Sequence, residues 1–235
     1  MQKQPTKILV IIPAFNEEET IGAVISSVRD AVPSANIVVV NDGSGDNTEH
    51  VARTHGIKVL NHPFNLGIGA SMQTGYKYAL ANNYEIAVQV DADRQHPVDR
   101  IKNLLDPILK NEADVVVGSR FMGQGDYRPS LARGAGIAFF SRLVSILIKE
   151  KMTDTTSGFR AVGPSVIDFF SRNYPDDYPE VESLVLLHKK GFRIKEIPVN
   201  MSERAGGRSS ITPLKSFYYM IKVFLAILVE LLRKV

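Results

Sequence analysis

Short apolar runs alternate along this chain with segments in which apolar residues recur every three or four positions. The runs are rich in β-branched residues and end in polar or glycine-containing turns, a pattern that predicts strands. The predicted strands cover residues 7–12, 36–40, 56–60, 86–90 and 114–118. The predicted helices cover residues 20–28, 47–55, 71–81 and 97–110. This alternation predicts an α/β fold in which a mostly parallel, Rossmann-like sheet is flanked by helices.

Polar loops follow the predicted strands, and three of these loops are acidic. Pro13 follows the first run and predicts the end of that strand. The acidic loops are residues 16–19, 41–46 and 91–93. Because the carboxyl ends of parallel strands meet at one edge of a sheet, we expect the three loops to converge there. Carboxylates brought together without a cation would repel one another, so their convergence favours a ligand site.

The fourth predicted strand ends in Asp91 and Asp93, which are followed by Gln95 and Pro97. Side chains two residues apart on an extended chain point the same way, so both carboxylates can meet one cation, with Gln95 adding a neutral oxygen. Mg²⁺ or Mn²⁺ bound in this way keeps coordination positions for phosphate oxygens. The alternative is a solvated acidic turn in which Asp93 or a neighbouring residue caps the next helix.

Composition limits both the fold and the chemistry. With 235 residues, 44% of them hydrophobic and 23% charged, the chain is long enough for one α/β domain and a small C-terminal extension. We place the domain at residues 1–210 and the extension at 211–235. The absence of cysteine excludes disulfides, thiolate metal sites and cysteine nucleophiles. The apolar segment before Pro13 is too short for the core of a signal peptide, so we expect the protein to stay in the cytoplasm.

The net charge of +3 is unevenly distributed. Residues 193–235 hold eight basic against three acidic side chains, which predicts that an anionic ligand or surface meets this end of the chain. Nucleic acid is not expected as a partner, because the basic residues are not interleaved with a recognisable nucleic-acid-binding motif.

Residues 211–235 predict an amphipathic helix. Its apolar positions are Leu214, Phe217, Tyr218, Ile221, Leu225, Leu228 and Leu232. A helix that spans a bilayer needs about 20 mostly apolar residues, and Lys222 and Glu230 interrupt this shorter stretch. We therefore expect a peripheral protein whose helix lies in the membrane interface at the cytoplasmic face. A core helix and a surface for homo-oligomerisation remain alternatives, here and for the shorter apolar segment 137–149.

Six short motifs occur in an order and at spacings that resemble one known family. They are residues 12–17 (IPAFNE), 40–44 (VNDGS), 65–69 (NLGIG), 91–97 (DADRQHP), 118–120 (GSR) and 156–160 (TSGFR). With them the chain resembles the family 2 glycosyltransferases of the GT-A fold, and within that family the dolichol- and polyprenyl-phosphate sugar synthases. The resemblance covers roughly the first 210 residues.

The resemblance implies an inverting transfer of a hexose from a nucleotide sugar, with UDP or GDP as the nucleotide. The residues that would contact the nucleotide are Pro13, Phe15, Glu17 and Asp42. The residues that would bind Mg²⁺ or Mn²⁺ and the sugar diphosphate are Asp91, Asp93 and Gln95. The cation would neutralise the charge that develops on the leaving diphosphate.

The acceptor implied by the resemblance is a polyprenyl phosphate. Family members that act on hydroxyl groups carry a Glu-Asp pair near the position of residues 156–160, and this chain lacks that pair. A phosphate oxygen is already anionic at neutral pH and needs no general base, but it does need cations, for which arginine offers forked donors. The predicted catalytic residues are Asp93, Arg120 and Arg133. The predicted substrate-binding residues of a glycine-containing loop are Arg204, Arg208 and Ser209.

Two alternatives to this function remain open. If Glu180 or Glu182 served as a general base, the acceptor would be a hydroxyl group of a polysaccharide or of a lipid-linked oligosaccharide. A binding protein that keeps the fold without turnover is the other alternative, against which the intact motif at residues 91–95 argues. Many members of the family carry added transmembrane helices that this chain lacks, so the resemblance also allows for a separate, small membrane protein as partner.

Overall fold

One mixed sheet lies at the centre of the protein. The computed structural model describes residues 6–122, 131–176, 179–201, 222–225 and 228–229, and within them every side chain except those of residues 131–133 and 135. The strands in these ranges are β1 (Ile8–Ala14), β2 (Asn36–Asn41), β3 (Lys58–Asn61), β4 (Ile86–Gln89), β5 (Val115–Ser119), β6 (Arg160–Val162) and β7 (Ile194–Pro198). The helices are α1 (Ile21–Ala31), α2 (Thr48–Thr54), α3 (Ile68–Ala81), α4 (Ile101–Leu109), α5 (Leu131–Ile148), α6 (Pro164–Asn173) and α7 (Pro179–Lys189).

The sheet is mostly parallel, as predicted, and its strand order is β3-β2-β1-β4-β6-β5-β7. Neighbouring strands run parallel except around β6, which pairs antiparallel with both β4 and β5. The five predicted strands correspond to β1 to β5, whereas β6 and β7 have no counterpart in the prediction. Strand β6 has only three residues and begins with an arginine, and β7 contains no fully buried residue. Neither strand therefore forms a recognisable apolar run.

Strand β1 continues through Pro13, contrary to the predicted break. The backbone oxygen of Ala14 accepts a hydrogen bond from the N–H of Asp42 at 2.9 Å, so the even-numbered residues of β1 bond towards β2. Pro13 therefore directs its nitrogen towards β4, which pairs with β1 only as far as Ile11 opposite Gln89. Because the neighbouring strand has already ended on that side, Pro13 removes no hydrogen bond from the sheet.

The predicted helices are present as α1 to α4, but α3 begins at Ile68, three residues earlier than predicted. The two glycines that suggested a loop serve the start of this helix. Gly67 has a φ of 94°, a left-handed value that glycine adopts without strain, and the chain turns there into α3. A Cβ at Gly69 would lie 2.4 Å from the backbone oxygens of Pro175 and Asp176, so only glycine allows this close packing.

Apolar residues cover both faces of the sheet, which explains why the strands appear as continuous apolar runs. Along β1, Leu9 and Ile11 belong to one core cluster and Val10 and Ile12 to the other, because successive side chains point to opposite faces. Helices α3, α5, α6 and α7 cover the first face, and α1, α2 and α4 cover the second. This layered arrangement leaves the carboxyl ends of β1, β2 and β4 together at one edge of the sheet.

Residues 222–225 and 228–229 are helical. Val223 belongs to the core cluster that α5 joins. The exposed apolar residues of this segment are Phe224, Leu225, Leu228 and Val229. The boundary predicted between residues 210 and 211, like most of the predicted C-terminal helix, lies outside the described residues. In the described ranges, no helix combines the length and the apolar character that a membrane crossing needs.

Replacing Gly75 with alanine should destabilise the fold. A Cβ at this position of α3 would lie 2.4 Å from Cγ2 of Ile11, a β-branched side chain enclosed in the core. We expect the free energy of unfolding to fall by about 1–3 kcal/mol, even though alanine favours a helix. The matched control is Gly45→Ala, since a Cβ there meets nothing within 4 Å. Urea denaturation of both variants measures the difference, and equal stabilities would contradict the close packing of α3 on β1.

Candidate active site

The polar side chains that follow β4 form the centre of the candidate site. Asp91 Oδ1 accepts a hydrogen bond from Gln89 Nε2 at 3.1 Å. The backbone N–H of Asp91 donates to Nδ1 of His96 at 3.0 Å, so the proton of the neutral ring sits on Nε2. That Nε2 lies 3.4 Å from Asp91 Oδ2. The hydrogen bond from Gln89 therefore orients the Asp91 carboxylate, the His96 ring lies beside its second oxygen, and the Asp91 side chain stays 37% exposed.

Asp93 is held in a turn and does not continue the strand. Strand β4 ends two residues before Asp91, and the chain then turns. Asp93 Oδ1 accepts a hydrogen bond from the backbone N–H of Gln95 at 3.1 Å, and Arg94 between them has a left-handed φ of 66°. The extended-chain argument for aligned carboxylates was wrong, because a turn separates Asp91 from Asp93. Their joint binding of one cation stays a prediction.

Asp91 lines a cavity of about 120 Å³. Its other polar walls are formed by Gln95, His96, Arg120, Thr156 and Ser157. Gly158 brings the loop before β6 close to the carboxylate, since a Cβ there would lie 3.3 Å from Asp91 Oδ2 and 2.8 Å from Gln89 Nε2. A side chain at this position would fill the space beside the carboxylate, so the glycine keeps the carboxylate accessible.

The oxygen donors of the cavity suit a hard divalent cation. Asp91 and Gln95 contribute a carboxylate and an amide, which are suitable ligands for Mg²⁺ or Mn²⁺. Within the described residues, no three His, Cys, Asp or Glu side chains are close enough together to enclose a metal ion. Mg²⁺ held by one or two carboxylates completes its coordination with phosphate oxygens and water, so the donor set fits a cation shared with a bound diphosphate.

Arg120 forms a buried ion pair beside the cavity. Its Nε and Nη2 donate to Oδ2 and Oδ1 of Asp154, both at 2.7 Å, and its backbone N–H donates to Oδ2 at 3.0 Å. Nη2 also donates to Thr156 Oγ1 at 2.7 Å. The Arg120 side chain is 9% exposed and that of Asp154 is 0% exposed. Nε and Nη2 of Arg120 therefore already bind Asp154, and the predicted contact of Arg120 with an acceptor phosphate stays a prediction.

Glu196 of β7 fixes the loop that carries Asp154. Its carboxylate accepts hydrogen bonds from the backbone N–H groups of Thr153 and Asp154, each at 2.8 Å, and from the Thr153 hydroxyl at 2.9 Å. Burial raises the pKa of Glu196 above its ordinary value, although the hydrogen bonds favour the charged form and oppose the rise. Asp154 and Glu196 therefore support the wall of the candidate site, and the sequence motifs do not indicate either residue.

Hydrogen bonds join the loops after β1 and β2, as their predicted convergence requires. The N–H of Asn16 donates to Ser44 Oγ at 3.0 Å, and the N–H of Gly45 donates back to Asn16 Oδ1 at 2.8 Å. The N–H of Glu17 donates to Thr48 Oγ1 at 2.8 Å. Since β4 is the other neighbour of β1, the acidic turn after β4 lies at the same edge of the sheet.

Of the four residues predicted to contact the nucleotide, Phe15 is the most accessible. It is 45% exposed directly after β1, whereas Pro13 is buried within the strand. The Glu17 carboxylate accepts a hydrogen bond from the hydroxyl of Thr20 at 2.8 Å. Asp42 is 4% exposed and accepts hydrogen bonds from within the protein. Phe15 thus offers a surface on which a planar base can stack, and the nucleotide contacts of all four residues stay predictions.

A buried arginine connects the cavity loop to α7. Arg160 of β6 donates to the backbone oxygens of Ser157 and Glu180 and to the hydroxyl of Ser183. Burial raises the pKa of Glu180 above its ordinary value. Glu182 in the same helix is 8% exposed. The two glutamates considered as general bases therefore lie on a helix that contacts the cavity loop through Arg160.

Four predicted site residues lie outside the described side chains. The backbone of Arg133 belongs to α5, but its side chain is not described. The residues outside the described ranges are Arg204, Arg208 and Ser209. Met201, which directly precedes that segment in the sequence, lines the cavity. The roles of the four residues stay predictions.

Comparison with known proteins identifies both a family and a fold. Residues 9–168 match the family described as Glycosyl transferase family 2. Among solved structures, the glucosyl-3-phosphoglycerate synthase of Mycobacterium tuberculosis, crystallised with Mn²⁺, UDP and phosphoglyceric acid, has a TM-score of 0.73. It is 22% identical in sequence, and the similarity covers 96% of this chain and 78% of that one. The expected GT-A fold is confirmed by this similarity.

Curated relatives of similar length are named as sugar transferases acting on lipid phosphates. The polyprenol monophosphomannose synthase of Mycolicibacterium smegmatis is 29% identical over 94% of this chain and 87% of its own length. The UDP-N-acetylglucosamine–dolichyl-phosphate N-acetylglucosaminyltransferase of Methanococcus voltae is 29% identical over 91% of this chain and 94% of its own length. The two relatives have the same sequence identity to this chain but are named for different sugars.

Asp154→Ala should destabilise the protein strongly. The substitution removes the carboxylate that receives three hydrogen bonds from Arg120, and breaking one side of a buried ion pair costs about 3–5 kcal/mol. The control is Glu49→Ala, which breaks an exposed pair with Arg53 on α2 and should cost less than about 1 kcal/mol. Urea denaturation compares the two variants. Similar losses of unfolding free energy would show that the buried ion pair contributes no more to stability than the exposed one.

Proposed function

Because this chain belongs to glycosyl transferase family 2, we propose that it transfers a hexose from a UDP- or GDP-sugar to a polyprenyl phosphate, with inversion at the anomeric carbon. The observation that carries the proposal is the cavity at the end of β4, in which Asp91 and Gln95 offer oxygen ligands beside Thr156. The names of two relatives support the acceptor, since both refer to lipid phosphates. The product would serve the synthesis of cell-envelope glycans or glycoproteins.

The proposed donor site uses the loops after β1, β2 and β4. The exposed ring of Phe15 would stack on the base. Asp91, Asp93 and Gln95 would hold Mg²⁺ or Mn²⁺ together with the diphosphate, whose developing charge the cation neutralises. The relative that was crystallised with Mn²⁺ and UDP supports this arrangement. Gln89 orients the Asp91 carboxylate before the donor arrives, which lowers the cost of reorganisation during the reaction.

The proposed acceptor needs no general base. Many members of the family that act on hydroxyl groups carry a Glu-Asp pair near the position of residues 156–160, which contain no acid in this chain. A lipid phosphate is anionic at neutral pH, so its oxygen attacks without losing a proton to the protein. Because Nε and Nη2 of Arg120 bind Asp154, we propose further cations beside Arg120 for the acceptor phosphate. The proposed cations are Arg133, Arg204 and Arg208.

A hydroxyl acceptor is the second candidate, and one observation favours it. Burial raises the pKa of Glu180, and a carboxylate with a raised pKa is a better base near neutral pH. Glu180 lies in α7, which Arg160 connects to the cavity loop. Glu182 of the same helix would be the other candidate base.

Asp91→Asn and Asp93→Asn should each reduce transfer at least about 100-fold, because each removes a negative charge from the proposed metal and diphosphate site. The assay combines purified protein, Mg²⁺ or Mn²⁺, labelled UDP- and GDP-sugars and undecaprenyl phosphate, and follows the label into the organic phase. The control is Asp99→Asn, an exposed aspartate just beyond the site, which should leave transfer unchanged. Full activity of Asp91→Asn would contradict the metal role.

The same assay distinguishes the two acceptors. Label in the organic phase for one donor supports the lipid-phosphate acceptor and identifies the sugar. The hydroxyl acceptor would be supported instead if nucleotide were released only with glycan acceptors. That release should then be lost in Glu180→Gln or Glu182→Gln.

We further propose that the protein works peripherally at the cytoplasmic face of the membrane. On α5, Phe139 and Ile146 are 46% and 70% exposed, and the partly buried Leu143 lies between them in sequence. Their spacing of four and three residues places them on one side of the helix. The exposed charged residues nearby are Arg142, Lys149, Glu150 and Lys151. An apolar stripe with mostly basic neighbours suits an anionic lipid surface, while a separate membrane partner and a homo-oligomer stay predictions.

Ile146→Asp should weaken binding to lipid vesicles by about tenfold, because it replaces an apolar side chain that would enter the interface with a charge. Vesicle sedimentation with and without phosphatidylglycerol measures the effect. Leu109→Asp is the matched control, since Leu109 is 52% exposed in α4, which covers the other face of the sheet. Equal vesicle binding by the two variants would exclude α5 as the lipid-binding surface.

A further inference from the structure

We propose that His62 is a positioning residue for the donor-nucleotide site and acts through Asp42. The proposal rests on the proposed function, because it concerns the loops to which the nucleotide is assigned. Neither the motifs nor the predicted site residues include His62. It lies directly after β3, at the same edge of the sheet as the loops after β1 and β2.

Hydrogen bonds hold the His62 ring at both of its nitrogens. Nδ1 lies 2.7 Å from Asp42 Oδ1, and Nε2 lies 2.9 Å from the hydroxyl oxygen of Thr74 in α3. A carboxylate only accepts hydrogen bonds, so Nδ1 carries a proton and donates it to Asp42, while Nε2 is hydrogen-bonded to the Thr74 hydroxyl. The side chains of His62 and Asp42 are 9% and 6% exposed, so this chain of bonds is nearly excluded from water.

Asp42 in turn holds the loop that follows His62. Its Oδ1 also accepts from the N–H of Leu66, and its Oδ2 accepts from the N–H of Gly67, both at 2.9 Å. The backbone N–H of His62 donates to the oxygen of Asn41 at 2.9 Å. The Asp42 carboxylate therefore fixes the start and the end of the loop between β3 and α3. Of these three hydrogen bonds to Asp42, the one from His62 comes from a side chain and the other two come from the backbone.

The loop held by Asp42 packs directly on the loop after β2. Gly43 has a φ of 70°, and a Cβ there would lie 2.5 Å from the carbonyl carbon of Phe64 and 2.8 Å from the nitrogen of Asn65. The loop of Gly43 is hydrogen-bonded to Asn16 in the loop after β1. Loosening the loop after β3 therefore weakens the packing that supports the loop after β2, to which the loop after β1 is hydrogen-bonded.

His62 does not belong to the reacting centre. It is not among the described residues that line the cavity beside Asp91. A change at His62 should therefore act on the binding of the donor and not on the chemical step. A positioning role therefore predicts a change in the KM of the donor, whereas a catalytic role predicts a change in kcat.

The test compares His62→Ala, His62→Asn and Thr74→Val with wild type. Hydrogen bonds to charged groups are strong enough that His62→Ala should raise the KM of the donor and the Kd of its nucleotide by about tenfold, with kcat nearly unchanged. His62→Asn should recover part of the loss, because its amide offers an N–H near the position of Nδ1. Thr74→Val should have a smaller effect, since it removes only the outer bond. His50→Ala, which changes an exposed histidine of α2, is the matched control and should behave as wild type.

Isothermal titration with UDP and GDP in the presence of Mg²⁺ accompanies the transfer assay, so that the two proposals can fail separately. If wild type binds a nucleotide but transfers no sugar, the proposed function fails, whereas weaker nucleotide binding by His62→Ala still supports the positioning role. An unchanged Kd and KM in His62→Ala would overturn the proposal. A fall in kcat at unchanged KM would also overturn it, as would equal losses in His62→Asn and His62→Ala.

Discussion

The buried ion pair between Arg120 and Asp154 is the interaction on which the rest of the site depends. Two charges removed from water are tolerated only when their geometry is good and their remaining polar groups are satisfied. Here the guanidinium meets both carboxylate oxygens, and Thr156 accepts a further hydrogen bond. The pair joins positions 34 residues apart, so the end of β5 and the loop before β6 form one wall of the cavity.

Strand β7 supports this wall of the cavity, although it is an edge strand without a fully buried residue. Such a strand adds little apolar burial to the core. It does place the carboxylate of Glu196 against the N–H groups of Thr153 and Asp154, where partial burial raises the pKa of this acid. Glu196 is hydrogen-bonded to the loop at Thr153 and Asp154, and Asp154 binds Arg120. Arg120 also bonds to Thr156, and Gly158 of the same loop lies beside Asp91. A strand that is unremarkable as a core element thus positions the site.

The elements that could be predicted from the sequence are those that a pattern of neighbouring residues indicates. Strands β1 to β5 are apolar runs with a polar end, and Asp91 is recognisable because an acid directly follows such a run. Strand β6 carries no such signal, since its three residues begin with Arg160. Its antiparallel direction brings the loop at 154–158 back towards β4, and no local pattern reveals this return. The partners of Arg120 and Asp42 were missed for the same reason, because long-range hydrogen bonds decide whether a charged side chain faces a ligand or the protein.

The two sides of the site are stabilised in different ways, and the difference bears on the acceptor. On the donor side, loops are joined by hydrogen bonds to backbone and hydroxyl groups, and Asp42 is satisfied by N–H donors. On the other side, Asp154 and Glu196 are satisfied internally, and the fork of Arg120 is used for that purpose. A diphosphate and a lipid phosphate would together bring several negative charges into this space, so further cations are required. Two of the three proposed cations, Arg204 and Arg208, belong to residues 193–235, which hold eight basic against three acidic side chains. The lipid-phosphate acceptor that we propose needs cations and no base, and it therefore fits this distribution of charge along the chain.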